Sequence, residues 1–183
     1  MNKIRLILLA ISIFVFYGCE ISDKRVEKPL KIKIINDKPC FYIDPFEDMD
    51  KFNIRTLGVS RPDPNREAYW LIEWSEGYFK DGGRQNFYRP VGNEFLFAPS
   101  AIAGSDRCIE YGLDLDKNGF AGNELKTDVI YHAGMRGYNK EQWASDRKKV
   151  GEADFHVRFY LKKNSQTGKI EAVIVDNNTT KIN

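Results

Sequence analysis

The chain is predicted to be an all-β sandwich, and three observations predict it. From Lys31 onward the dominant apolar period is two, the strand period, rather than 3.6. The alternating runs are short and are separated by Gly, Pro, Asn and Asp clusters, the punctuation of turns. Two cysteines, Cys40 and Cys108, lie far apart in sequence with Trp70 and Trp74 between them, so distant strands can be pinned together over an aromatic core.

The first element is not part of that domain. Lys3 and Arg5 make a positive start, and Leu6 to Tyr17 is an apolar or small-residue run too short to span a bilayer as a stable helix. It ends in Phe16-Tyr17-Gly18-Cys19, a small residue before cysteine, as a bacterial lipoprotein signal ends, although Phe16 and Tyr17 are bulkier than usual there. Residues 1–18 are therefore expected to be a cleaved signal peptide, with Cys19 carrying lipid; an ordinary signal or a short anchor is the alternative. Residues 19–30 are charged and aperiodic and are expected to be the lipidated cysteine and its tether. Ten extended residues reach roughly 35 Å. Glu20, rather than Asp, after the lipid site resembles the outer-membrane address of enteric lipoproteins.

Residues 31–183 are expected to form one domain. Lys31-Ile32-Lys33-Ile34 alternates cleanly, and Ala68, Trp70, Ile72 and Trp74 fall on one face of a later strand. In 154–162, Phe155, Val157, Phe159 and Leu161 point one way while Asp154, His156, Arg158 and Lys162 point the other. Ile170 to Val175 follows a turn at Asn164 to Gly168, so these strands make a hairpin. Further strands are expected near 40–43, 52–59, 94–97, 107–113 and 127–133. One short inserted helix is expected, with Asn139 and Gln142 as a capping pair, Lys148 and Lys149 in its last turn and Gly151 as its stop.

With Cys19 assigned to lipid, Cys40 and Cys108 are the one remaining pair, in an oxidising compartment, and a disulfide is expected. The cysteine–tryptophan–cysteine order resembles the pin of an immunoglobulin domain, and the expected architecture is Ig-like. The match is partial, since Asp106, not a tyrosine, stands two residues before Cys108. Charge excludes one partner class. Loss of Lys3 and Arg5 with the signal leaves as many basic as acidic side chains, so the slightly basic full chain carries no nucleic-acid footprint.

Asp114-Leu115-Asp116-Lys117-Asn118-Gly119 matches the first half of a calcium loop, but position twelve is Leu125, with Glu124 one place early. A polar turn is the preferred reading, and no metal is expected. His132 and His156 are the only histidines and have no cysteine or carboxylate at ligand spacing. His156 is expected to be a solvated residue on a polar strand face. No nucleophile elbow, phosphate loop or dinucleotide fingerprint occurs, so neither catalysis nor a cofactor is expected.

Two segments are candidate partner-binding patches. Asp44, Glu47, Asp48 and Asp50 surround Phe46 and Met49 in an acidic loop that can steer toward a basic cleft; a solvated loop with Phe46 tucked into the core edge is the favoured alternative. Tyr78, Arg84 and Tyr88 have hot-spot composition, and the Gly82-Gly83 turn between aromatic pairs equally describes a plain hairpin.

The signal ending at Cys19, the run Ile34-Ile35-Asn36-Asp37-Lys38-Pro39-Cys40 and the run Arg107-Cys108-Ile109-Glu110-Tyr111-Gly112 together resemble the small periplasmic immunity lipoproteins of type VI secretion systems, over roughly residues 31–135. The resemblance implies a non-enzymatic protein of the periplasm that binds and neutralises a secreted toxin, held by its lipid to a membrane, the outer one by Glu20. A structural lipoprotein of a secretion or surface assembly is the alternative. A lysozyme-inhibitor-like lipoprotein is another, although the Ser-Gly and Thr-Lys-Gly loops of those inhibitors are not found.

Overall fold

The computed structural model describes residues 26–66, 70–76, 78–80, 88–90, 95–113, 122–145 and 151–176. Cys19 and Ala68 lie outside them. Among the described residues the chain forms ten strands, one short α-helix and two 3-10 turns at Met49–Lys51 and Pro99–Ile102. The strands and the α-helix run β1 (Val26–Ile35), β2 (Lys38–Ile43), β3 (Phe52–Pro62), β4 (Trp70–Glu76), β5 (Tyr78–Lys80), β6 (Tyr88–Pro90), β7 (Ile109–Glu110), β8 (Ile130–Asn139), α1 (Lys140–Ser145), β9 (Glu152–Lys163) and β10 (Ile170–Val175). The fold is all-β and sandwich-like, as the period-two pattern predicts.

Eight strands form one curled sheet in the order β4-β3-β8-β9-β1-β2-β7, with β10 also on β9. β1 makes the curl. Its first residues, Val26 to Pro29, run parallel to β9, and Leu30 to Ile35 pair antiparallel with β2. Asn36 and Asp37 turn β1 into β2 with φ of 50° and 61°, a left-handed pair that Asn and Asp tolerate and a two-residue hairpin requires. The two arms then face each other across the core. Phe41 of β2 stacks on Trp74 of β4 at 6.3 Å and meets Phe159 of β9 edge-on at 6.0 Å.

The clearest predicted element is confirmed in full. Phe155, Val157, Phe159 and Leu161 are all buried, while His156, Arg158 and Tyr160 between them are only partly so. Asn164 shapes the following turn by accepting the backbone N–H groups of Gln166 and Thr167, and Gly168 takes a φ of 71°. Asn139 caps α1 through Oδ1, which accepts N–H bonds from Glu141 and Gln142. Gln142 does not reach back to Asn139. Its Oε1 accepts the Gly151 N–H instead, at 2.7 Å.

Several expectations are corrected. β1 begins at Val26, so residues 26–30, read as tether, belong to the sheet. Among the described residues of 94–97, which begin at 95, there is only a bridge from Phe97 to Ile54, and near 107–113 only the two residues of β7. Trp70 and Ile72 do not share the face of Trp74. The partner of Val59 is Trp74 but the partner of Ser60 is Ile72, so Glu73 is an extra residue in β4, a bulge. Trp74 is fully buried and Trp70 is 41 % exposed.

The Cys40–Cys108 disulfide forms across a sequence separation of 68. Its place differs from the immunoglobulin pin, which crosses the core between sheets. Cys40 lies on β2 directly opposite Glu110 of β7, so the bond staples neighbouring strands of one arm. The predicted aromatic packing survives three residues beyond Cys108, where Tyr111 meets Trp74 edge-on at 5.4 Å.

Candidate interaction surface

The acidic loop is anchored rather than presented. Phe46 packs on Phe52 and Phe155 at centroid distances of 6.3 and 5.8 Å, and Met49 packs against the core. Asp44 pairs with Lys31 at 3.3 Å and Asp48 with Lys51 at 2.9 Å. Glu47 and Asp50 are exposed, so a charged rim remains, but its central aromatic is committed to the core edge. The second patch forms a hairpin, with Tyr78 opposite Pro90 and Lys80 opposite Tyr88. Arg84 lies outside the described residues.

The calcium-like segment 114–121 also lies outside them, but its flanks are described. Leu125, at the twelfth position, packs against the core and Glu124 is exposed. The bulge residue Glu73 gathers the flanks. Its carboxylate accepts Arg61 Nε and Asn123 Nδ2, and its carbonyl accepts the Asn123 N–H at 2.8 Å. The Tyr111 hydroxyl lies 3.1 Å from that carbonyl and 2.7 Å from the carbonyl of Asn123. Burial, then the charge of Glu73, push the Tyr111 phenol above its ordinary pKa, which keeps it a neutral donor. The chemistry of this cluster is that of a clamp. Among the described residues no group of three or more His, Cys, Asp or Glu side chains can hold a metal ion.

A different surface brings hot-spot residues together. Ser60 follows the buried Val59, so Ser60 and its partners Ile72 and His132 point away from the core. Because of the bulge, Trp70 joins them. Its ring lies 5.8 Å from His132, and His132 stacks on His156 at 6.3 Å. The row thus crosses the sheet from β4 to β9. Gly134 lies beside the stack. It is opposite His156, and a Cβ there would sit 3.4 Å from His132 Cε1. Burial, then the neighbouring His156 and Arg158, lower the His132 pKa from its ordinary value of 6.5.

At the β9 end the row meets a cleft of 530 Å³. β8 occupies one edge of β9, so β1 and β10 share the other, β1 as far as His156 and β10 from Arg158 onward. The strands diverge there as a fork. Lys28 and Lys31 line it from β1, His156 and Arg158 from β9, and Ile174 and Asp176 from the far side. Arg158 Nη1 donates to the Asp176 carbonyl at 3.1 Å. Ile174 is opposite the buried Phe159 yet is 59 % exposed, because β1 has left that side uncovered.

Sequence reasoning placed His156 correctly on a polar face but missed the cluster, since Trp70 reaches it only through the bulge. The alternation of His132, Gly134 and Arg136 was the available signal. Comparison with protein-family models, with curated proteins and with solved structures finds no match to this chain.

Proposed function

We propose that the chain is a lipid-anchored protein of the bacterial periplasm whose domain binds and neutralises a secreted protein toxin, as a stoichiometric inhibitor that does no chemistry of its own. The observation that carries the binding role is the Trp70–His132–His156 row beside the open fork. Aromatic and arginine side chains held on a rigid sheet are what protein interfaces use as anchors. The class of partner rests on the signal ending at Cys19 and on the two cysteine runs that resemble immunity lipoproteins. The disulfide suits an oxidising compartment.

Two experiments test it. An alkyne fatty acid should label the wild-type protein in cells and not Cys19→Ser; equal labelling would remove the anchor. Deleting the gene, or disabling its export signal, should make cells sensitive to toxin-competent siblings. Unchanged survival of the deletion strain, with no second copy of the gene present, would return the protein to the structural-lipoprotein class.

A further inference from the structure

We infer that the fork between β1 and β10 is a slot for one extended polypeptide segment of a partner protein. Main-chain hydrogen bonds to the two strand edges that line the slot hold the segment, together with an apolar side chain turned toward the core. The inference concerns the backbone edges of the fork, and it holds or fails independently of the toxin reading.

Successive residues of a strand direct their N–H and C=O groups to opposite edges, so the bonds already made show which groups face the slot. The carbonyls of Leu161 in β9 and of Gly151 just before it accept the Asp128 and Asn139 N–H groups, on the β8 side. Odd-numbered residues of β9 therefore serve β8 and even-numbered ones serve β10. Ala172 and Ile174 are opposite Leu161 and Phe159, so their own N–H and C=O groups point away from β9, into the slot. The Ile170 N–H points the same way and donates to Asp37 Oδ1 at 3.4 Å. On β2 the carbonyls of Pro39 and Ile43 accept the Tyr111 and Gly104 N–H groups, on the side away from β1. Their partners Ile34 and Leu30, and Ile32 between them, must then point their backbone groups away from β2. That edge of β1 carries β9 as far as Pro29 and has no partner strand beyond it among the described residues.

The two walls run antiparallel, since β1 is parallel to β9 and β10 is antiparallel to it. Each wall offers a donor and an acceptor at every second residue. A strand laid between them is parallel to one and antiparallel to the other, and its two edges match both rows. The slot is latched at one end by Asp37 on Ile170 and closed at the other where Pro29 pairs with His156. It is therefore open to a single strand, not to the sheet edge of a second copy. Its cleft of 530 Å³ is walled by the core-facing Leu30, Val157 and Ile174, and an apolar side chain entering there covers Ile174, which is 59 % exposed. β10 carries none of the devices that protect an edge. It pairs without a bulge from Ile170 to Val175, has no proline, and holds one charge, Glu171. The rim charges offset one another, with Lys28, Lys31 and Arg158 among Glu27, Asp176 and Asp44, so backbone and shape select the segment rather than its charge.

The test uses the full mature chain with Cys19→Ser and a capped peptide of alternating valine and threonine. Two further forms of the peptide are N-methylated, one at the valines and one at the threonines, so that each has lost the donors of one edge. The intact peptide should slow hydrogen exchange at the Ala172 and Ile174 amides, and both methylated forms should bind about tenfold or more weakly. Ala172→Pro deletes a slot-facing N–H without touching the β9 ladder, and Ile174→Glu puts a charge against the apolar wall; each should weaken binding by about tenfold or more. Glu47→Lys, in the anchored loop, should leave it unchanged. Methylated peptides that bind as well as the intact one would overturn the inference, and they decide it even if a variant fails to fold. So would indifference to both variants. Ala172 and Ile174 amides as protected in the free protein as those of Val173 and Val175 would show that the slot is already shut. Self-association of the chain that both variants abolish would give the edge to a second copy instead.

Discussion

One inserted residue decides where the aromatic side chains of β4 go. A strict period of two places Trp70, Ile72 and Trp74 on one face, and nothing local marks Glu73 as the exception. Glu73 is accommodated because a buried carboxylate finds the Arg61 guanidinium and the Asn123 amide, a tertiary arrangement that strand periodicity does not register. Its side chain is 8 % exposed. Glu73→Ala should therefore cost about 2–3 kcal/mol, read as a lowered urea midpoint at unchanged slope, because Arg61 and Asn123 lose an ionised acceptor. A variant of wild-type stability would show that the clamp contributes nothing. His132 yields a prediction of opposite character. Its folded pKa lies below the ordinary 6.5, so the fold favours the neutral ring. The unfolded chain then binds more protons in the window between the two values, and stability falls as pH drops from 6.5 toward the lowered value. His132→Gln should flatten that dependence, measured as urea midpoints at neutral and mildly acidic pH. An unchanged slope would place the acid sensitivity elsewhere.

Whether an element was legible in the sequence depended on where its partners lie. The β9–β10 hairpin declares itself locally, through alternation on β9 and an Asn-to-Gly turn whose side chain–backbone bonds lie within a few residues. The N-terminus of α1 was equally legible, because capping is local chemistry. Its role was not. Trp143 packs on Tyr138 at 4.7 Å, meets Phe95 at 6.0 Å and sits under the Arg55 guanidinium at 4.5 Å. Arg55 is itself the extra residue where β3 shifts register against β8. Helix and bulge thus meet over one indole, and only the folded chain brings them together. Asn139→Ala should cost about 1 kcal/mol, the usual worth of such a cap, and should loosen the Trp143 contact, visible as increased indole fluorescence quenching by added iodide. No change in either would mean that tertiary packing alone holds the helix.

The period-two pattern gave the fold class of the whole molecule because every strand of a half-buried sheet repeats it, whereas the order in which strands join was not written there. β1 belongs to both arms of the sheet, and its first residues, charged and aperiodic, look like tether. They are strand because one partner, β9, runs along them in parallel. The candidate surface was lost for the same reason, since the fork exists only where β1 and β10 share one edge of β9. The disulfide is the feature whose pairing was readable and whose purpose was not. β7 is two residues long and pairs only at Cys40–Glu110 and Phe41–Ile109, too little to hold an edge strand by itself. The covalent bond supplies what the ladder lacks, and Tyr111 beyond it carries the Glu73 clamp and the contact with Trp74. Replacing both cysteines with serine should lower stability by about 4 kcal/mol on the chain-entropy estimate. The loss should also be local before it is global, with hydrogen exchange rising first at 99–113 and at Asn123 while β8 and β9 stay protected. Uniform loss of protection across the sheet would show that the bond holds the whole sandwich rather than its edge. Stability within about 1 kcal/mol of wild type would show that packing of Tyr111 and Ile109 suffices without it.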